Sequence, residues 1–379
     1  MTDSLAPYVI LPNAPLFLGS GRGFSPSTSF WDVTLPLPTP STLFGAFGRV
    51  IYESLGVKEC DQSCREEILK KTPKFIPSIA EVSGDELEKL YSGNDVKAKL
   101  YLPSPPIVRK GEYISLPCLS ESDRLLFNPK SPTWISLEQF IRLLKFRRLE
   151  GELEAIELGE ALSFDDRVGI KLSADRTTER GYFYRITLVS PRIDLDEERA
   201  FFPSFLAVGK EKESQIKDYT QVTLGGERRV VIIREVKVEG LNDLVDLLSW
   251  ESRYHLLLTP GIYLEAPCSF SDLYTKRSFT GYSRASVLDR SSGRCPSKYS
   301  SVLCCKRTLS APKGFKAYVR RWVSLPFTLW HKTQERVVLR AVSEGSILVG
   351  DEVDRKPVSF AEEIGFGFTV PMEVCECCT

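Results

Sequence analysis

The sequence predicts an α+β protein built from more than one module. Two patterns carry this. Runs of alternating apolar and polar residues flank polar or glycine turns, as in antiparallel hairpins, and apolar residues at helical spacing are interspersed with them. No long strand–helix–strand series links these pieces, which argues against a doubly wound parallel sheet. At about 100–200 residues per domain, 379 residues suggest two or three domains. The sequence divides best near residue 250. Residues 1–250 form an N-terminal module with a helical insertion and a hairpin arm, and 251–379 form a C-terminal module with a basic loop segment.

The elements follow in order. Tyr8 to Leu11 reads as a strand and Leu16 to Leu18 as a second apolar stretch. A glycine-rich loop, Gly19-Ser20-Gly21-Arg22-Gly23-Phe24, comes next. Pro36 to Pro40 leads into a helix with Ser41 as its expected N-cap, Leu43, Phe44, Phe47, Val50, Ile51 and Leu55 on its apolar face, and Gly56 as its stop. Gly45 and Gly48 inside it serve close helix packing or the close approach of a ligand backbone. Residues 57–98 are polar and helical in tendency, and short strands are expected near Leu100–Leu102 and Tyr113–Leu116. Ser136 and Gln139 read as a capping box for a helix bearing Leu137, Phe140, Ile141 and Leu144, with a basic tail of Lys145, Arg147 and Arg148 that suits its C-terminal dipole.

A hairpin comes next. Val168, Ile170 and Leu172 alternate with Gly169, Lys171 and Ser173, and the chain resumes from Tyr182 to Val189 after a polar loop holding Arg176 and Arg180. Lys171 and Arg185 belong to its outward set. A second hairpin-like unit, Tyr219 to Glu235, turns at Gly225-Gly226, and a helix over Asn242–Trp250 follows. A strand from His255 to Leu264 opens the second module, which closes with strands at Arg336–Val342, Ser346–Val349 and Phe368–Val374.

Hydrophobic residues make up 42% and charged residues 26%, which excludes a disordered chain, a collagen-like fibre and a small disulfide scaffold. No apolar run reaches the length of a membrane span, and the first residues lack a secretory pattern, so a cytoplasmic protein is expected. Fifty basic residues balance fifty acidic ones, which argues against indiscriminate coating of nucleic acid. The charge is segregated, however. Lys276 to Arg321 holds twelve Lys/Arg and one acidic residue, Asp289, while Glu150–Glu160 and the last thirty residues are acidic. Such segregation suggests different surfaces for different partners. Few Asn, Gln and Met beside many prolines point to a thermophile.

Catalytic signatures are absent: there is no Walker-type phosphate loop, Rossmann fingerprint or H-E-x-x-H. Of the two histidines, His255 reads as structural, beside an apolar strand. Gly281-Tyr282-Ser283-Arg284 lacks the second glycine of a nucleophile elbow. Asp165-Asp166 reads as a hairpin-base charge pair before a metal pair. Cys60-x3-Cys64 is able to bridge within a helical turn. Cys304-Cys305 and Cys375-x-Cys377-Cys378 do not make a zinc ribbon, leaving buried thiols or a composite zinc site. No cofactor is expected.

What is present suits single-stranded nucleic acid. The basic segment interleaves cations, among them Lys276, Arg277 and Arg284, with Phe279, Tyr282, Tyr299, Phe315 and Tyr318, and aromatic faces stack unpaired bases. Glycine loops at Gly19–Gly23, Gly225–Gly226 and Gly365–Gly367 let backbone N–H groups approach a phosphate. The hairpin carries Arg176 and Arg180 near its tip. Ordinary turns and solvated loops remain the plain alternative for each feature alone.

Several stretches, in the expected order and spanning nearly the whole chain, resemble the RAMP proteins of CRISPR effector complexes. They are Phe17-Leu18-Gly19-Ser20-Gly21-Arg22-Gly23-Phe24, Pro38-Thr39-Pro40-Ser41-Thr42-Leu43-Phe44-Gly45-Ala46-Phe47, Val168-Gly169-Ile170-Lys171-Leu172 with Gly181-Tyr182-Phe183-Tyr184-Arg185, Leu224-Gly225-Gly226-Glu227-Arg228-Arg229, and Arg340 to Ser346 followed by Gly365-Phe366-Gly367. The set looks most like the subunit that caps the 5′ handle of the guide RNA in type III-B (Cmr) complexes. Leu18 and Ser20 stand where that family more often has Arg and Asp. The resemblance implies two ferredoxin-like (RRM-like) modules and non-catalytic binding of the crRNA 5′ handle. It also implies two protein neighbours: the large polymerase-like subunit and the adjacent RAMP backbone subunit. The residues expected at the RNA are Arg22, Ser41, Thr42, Arg49, Lys171, Arg176, Gly225, Gly226, Arg228, Arg229 and Gly365, Phe366 and Gly367, with no metal. The alternatives are a RAMP endoribonuclease acting on precursor crRNA, with His255, His331 or Tyr282 as acid or base, and a protein adaptor without RNA contact.

Overall fold

The structure is a computed structural model that describes residues 4–18, 35–110, 113–116, 134–172, 178–194, 196–209, 220–225, 228–264, 270–275, 308–328, 336–353 and 355–373. Strand β1 (Ser4–Pro12) is buried on both faces: Tyr8 and Ile10 enter one apolar cluster and Val9 and Leu11 another. Helix α1 (Pro40–Leu55) is capped by Thr39, not Ser41, because Pro40 fills the first helical position and Thr39 Oγ1 accepts from the Thr42 N–H. It ends at Gly56, as expected, in the left-handed region. Helix α2 (Gln62–Lys71) starts at Asp61 beside a Cys60–Cys64 disulfide. A Cβ on Gly48 would lie 3.2 Å from Ile68, so Gly48 serves the packing of α1 on α2; Gly45 faces open space.

Strand β2 (Lys74–Ser83), helix α3 (Gly84–Ser92) and strands β3 (Lys99–Pro103), β4 (Val108–Lys110), β5 (Tyr113–Ser115) and β6 (Trp134–Ser136) come next. Helix α4 (Leu137–Phe146) is capped by Ser136, but the Gln139 amide bonds to Glu152 and Glu154 instead of closing the expected box. Strands β7 (Arg148–Glu150) and β8 (Ala155–Ile156) and helix α5 (Leu158–Ala161) lead to the expected hairpin, β9 (Leu162–Leu172) with β10 (Thr178–Asp194). Strands β11 (Arg199–Gly209), β12 (Thr220–Leu224) and β13 (Arg229–Glu235) and helix α6 (Leu241–Leu248) complete this part.

The main sheet runs β12-β13-β1-β11-β2-β3-β6-β8, with the β9–β10 hairpin branching from β11. At its centre β13, β1, β11 and β2 are antiparallel neighbours. Counted along the chain they sit in the order 4-1-3-2, the order of a ferredoxin-like sheet.

The remaining elements are β14 (Tyr254–Leu257), β15 (Tyr263–Leu264), α7 (Phe270–Thr275), β16 (Thr308–Leu309), β17 (Phe315–Tyr318), β18 (Trp322–Thr328), β19 (Arg336–Val342), β20 (Ile347–Gly350) and β21 (Thr369–Met372). Pro260-Gly261 breaks the single strand expected from His255 to Leu264 into β14 and β15. A second sheet, β17-β20-β14-β21, is antiparallel throughout and repeats the 4-1-3-2 order. The fold is α+β, with two sheets of one plan. Leu256, Ile347, Val370 and Met372 of the second sheet pack with Val9, Ile76 and Leu206 of the first. The other face of the first sheet carries α1, α2 and the inner residues of β18 and β19.

Candidate nucleic-acid interface

The site is built around Leu16, Phe17 and Leu18, which precede the glycine-rich loop. Leu16 and Val189 of β10 exchange both backbone hydrogen bonds, at 2.7 and 2.8 Å, so the hairpin is anchored here. Leu18 O accepts from Leu35 N at 2.7 Å, which closes the base of the 19–34 segment and hands the chain to Thr39 and α1. Gly225, in the β12–β13 turn, lies against the Phe17 carbonyl. Thus the glycine loop's base, the hairpin's base, the start of α1 and the Gly225 turn, recognised separately in the sequence, meet at three residues.

Ser41 and Thr42 lie in the first turn of α1, part-buried. The Thr39 hydroxyl is 2.9 Å from Ser41 Oγ and 3.0 Å from Thr42 Oγ1. No acidic residue occupies this turn, so the positive helix end is not neutralised by its own side chains. Arg49 is exposed two turns further along, paired with Glu53 at 2.8 Å. Such an exposed pair is weak enough to yield to a phosphate. Arg228 is exposed in the turn with φ +52°, and its N–H donates to Gly225 O. Arg229 opens β13 opposite Leu224. Lys171 lies near the end of β9. The hairpin strands run ten register pairs from Leu162–Pro191 to Leu172–Thr178, so the arm extends about 30 Å from its anchor.

Arg22, Arg176, Gly226, Lys276, Arg277 and Arg284 lie outside the described residues. Gly365, Phe366 and Gly367 are described, and their place differs from the expectation of a phosphate-facing loop. Their N–H groups donate to Glu362, Ala361 and Pro260, Phe366 is fully buried, and a Cβ on Gly365 would stand 2.4 Å from the Phe75 carbonyl. These glycines let the turn before β21 pack onto the main sheet. The expected stacking rings Phe315 and Tyr318 are half-buried in β17, with Phe315 edge-on to His255. Sequence reading missed Thr39 and the anchor Leu16–Leu18. Thr39 directly before Pro40 was a legible capping signal.

His255 sits in β14, between β20 and β21, and is 2% exposed. Burial pushes its pKa down to about 4, so it is neutral and removed from any substrate. His331 and Tyr282 lie outside the described residues. Asp165 pairs with Arg167 at 2.9 Å and Asp166 accepts from Thr187 Oγ1 at 2.6 Å, so both serve the hairpin. The cysteines at 304, 305, 375, 377 and 378 lie outside the described residues. Among the described residues no helix is long and apolar enough to cross a membrane.

A family model described as CRISPR-associated protein (Cas_Cmr3) matches residues 8–294. Among solved structures, one similar chain belongs to the cryo-EM structure of the type III-B Cmr-beta bound to cognate target RNA. It has 16% identity and a TM-score of 0.47, covering 97% of this chain and 99% of that chain. A chain of the Cmr-beta structure with cognate target RNA and AMPPnP, state 1, has 16% identity and a TM-score of 0.45, covering 90% and 86%. No curated protein sequence matches.

Proposed function

The chain belongs to the Cas_Cmr3 family of CRISPR-associated proteins, and from that premise we propose that it is a non-catalytic subunit of a type III-B CRISPR ribonucleoprotein effector acting in antiviral defence. In this reading it binds the 5′ handle of the crRNA in one register. It docks the large polymerase-like subunit there, beside the adjacent RAMP backbone subunit.

The observation that carries the reading is the convergence at Leu16–Leu18. The Leu18–Leu35 bond from which the 19–34 segment departs, the hydroxyl-rich start of α1, the Arg228–Arg229 turn and the anchor of a long hairpin arm lie at one place. A strand end held there would find backbone N–H and hydroxyl donors for phosphates and arginines for charge. Lys171 and Arg176 would follow the strand along the arm, with Lys276, Arg277 and Arg284 as further phosphate contacts. The charge split fits two kinds of neighbour. The Gly225 turn closes the β12 edge of the main sheet, whereas the acidic Glu150–Glu160 segment borders β8 at the opposite edge. The endoribonuclease reading loses one of its candidate acid–base groups, since His255 is enclosed between β20 and β21.

The experiment is a gel assay of the purified chain with labelled guide RNA, with and without its 5′ repeat-derived tag, in EDTA. A tag-dependent shift without cleavage supports the capping role. Cleavage that disappears in the His331→Ala protein moves the chain to the processing enzymes. A shift absent both alone and with the large subunit present refutes RNA binding.

A further inference from the structure

Strands β18 and β19 form a separate two-stranded ribbon. Its inner residues Leu325, Leu339 and Ala341 are buried in the cluster that also holds Leu18, Phe44 and Leu224. On its other side Val342 is buried in a separate small cluster, whereas Trp322 opposite it and Arg340 beside it reach solvent. There Trp322 is 36% exposed, and the Arg340 guanidinium lies over its ring at 4.0 Å from the centroid. Arg340 sits two register positions from the Trp322 pair, opposite Ser324 and on the same face.

Two facts separate this pair from an ordinary surface arginine resting on a ring. Among the described residues no carboxylate pairs with Arg340, and the nearby Glu344 is already committed to Arg321 at 2.8 Å. The surrounding chain, 315–344, holds Lys316, Arg320, Arg321, Lys332, Arg336 and Arg340 against Glu335 and Glu344. An exposed indole stacked on an uncompensated guanidinium, in basic surroundings, is chemistry suited to an unpaired nucleobase with a phosphate beside it. The local charge disfavours a basic protein partner.

We propose that Trp322 and Arg340 form a stacking site for an unpaired base of single-stranded RNA, independent of its sequence. The base extends the indole–guanidinium stack, and the Arg340 guanidinium meets the flanking phosphate. This deepens the RNA-binding reading above and rests on it. It adds a contact away from the handle site, made by residues that the sequence patterns did not single out for RNA.

The test uses the full chain with two probes, an unstructured oligouridine RNA and the handle-bearing guide RNA. Trp322→Ala is expected to weaken oligouridine binding about tenfold. Trp322→Phe, which keeps a ring and guards against a folding artefact, is expected to retain most of it. Arg340→Glu is expected to weaken binding and make its salt slope shallower. If Trp322→Ala and Arg340→Glu bind oligouridine like the parent while Arg228→Glu still loses the handle RNA, the stacking site is refuted and the handle reading stands. If the parent binds neither RNA at low salt, alone or with the large subunit present, both fall. If Trp322→Ala binds RNA normally but fails to join its neighbouring subunits on reconstitution, the patch is a protein interface and the proposal is overturned.

Discussion

Gly225 faces the carbonyl of Phe17 so closely that a Cβ there would lie 2.5 Å from the oxygen, at a φ of +78°. Both constraints require glycine. A left-handed non-glycine residue costs about 1–2 kcal/mol, and the contact with Phe17 adds to it because the neighbouring atom is backbone and has no flexible end to move aside. Gly225→Ala is therefore expected to destabilise the chain by at least about 2 kcal/mol in denaturant unfolding and to loosen the base of the 19–34 segment. Equal stability of the two proteins would show that the turn is not braced on Phe17.

Arg228 separates stability from RNA binding, because the two effects of changing it have opposite signs. It holds φ +52° without being glycine, so Arg228→Gly relieves strain and is expected to hold or raise the melting temperature. The same change removes an exposed cation from the turn. RNA affinity is expected to fall, and the slope of log affinity against log salt to drop by about 0.7 on a single strand. A variant that melts higher yet binds RNA with unchanged affinity and slope would remove Arg228 from the interface.

Gly365 makes the converse case. Its φ is +106°, and a Cβ would stand 2.4 Å from the Phe75 carbonyl oxygen and 2.6 Å from the Phe75 nitrogen. Gly365→Ala forces the β21 turn away from β2, where no side chain is able to yield. Loss of folded protein, or a drop of more than about 3 kcal/mol in stability, is expected, with no change in the salt slope of whatever RNA binding survives. A well-folded variant with a reduced slope would return this loop to the RNA side.

Gly225 and Gly365 also show where sequence reading stops. Both precede the last strand of a 4-1-3-2 sheet, and both look like phosphate loops; only packing reveals that one borders the surface anchor and the other lies under the core. Helix α1 and the β9–β10 hairpin were legible because one face of each pattern is apolar, at period 3.6 or 2. Strands β2 and β11 were not. Both are buried on two faces, so they show no alternation, and each contains a proline, Pro77 opposite Phe205 and Pro203 opposite Ile79. A proline normally argues against a central strand. Without those two strands the ferredoxin-like order is not derivable from local pattern and rests on resemblance. Trp322 escaped because its meaning depends on Arg340, eighteen positions away in sequence and diagonally across the ribbon, two register positions along.

His255 makes stability depend on pH in a direction that can be worked out. Its pKa falls from an ordinary 6.5 to about 4 because burial in β14 disfavours the imidazolium. Below pH 6.5 the unfolded chain takes up a proton that the folded chain refuses, so unfolding is favoured as pH falls. The contribution is complete above pH 6.5, is lost progressively towards pH 4 and changes no further below that. At 1.36 kcal/mol per unit the loss is on the order of 3 kcal/mol. Carboxylates titrate in part of the same window, so the measurement is the difference between the parent and His255→Phe. That variant keeps a ring beside Phe315, whose centroid lies 6.1 Å from the imidazole. The variant is expected to lose less stability between pH 6.5 and 4 than the parent, with handle-RNA binding unchanged at neutral pH. Parallel stability curves for the two proteins would mean that His255 is not held neutral by its burial. Impaired RNA binding in a well-folded His255→Phe protein would reopen its functional role.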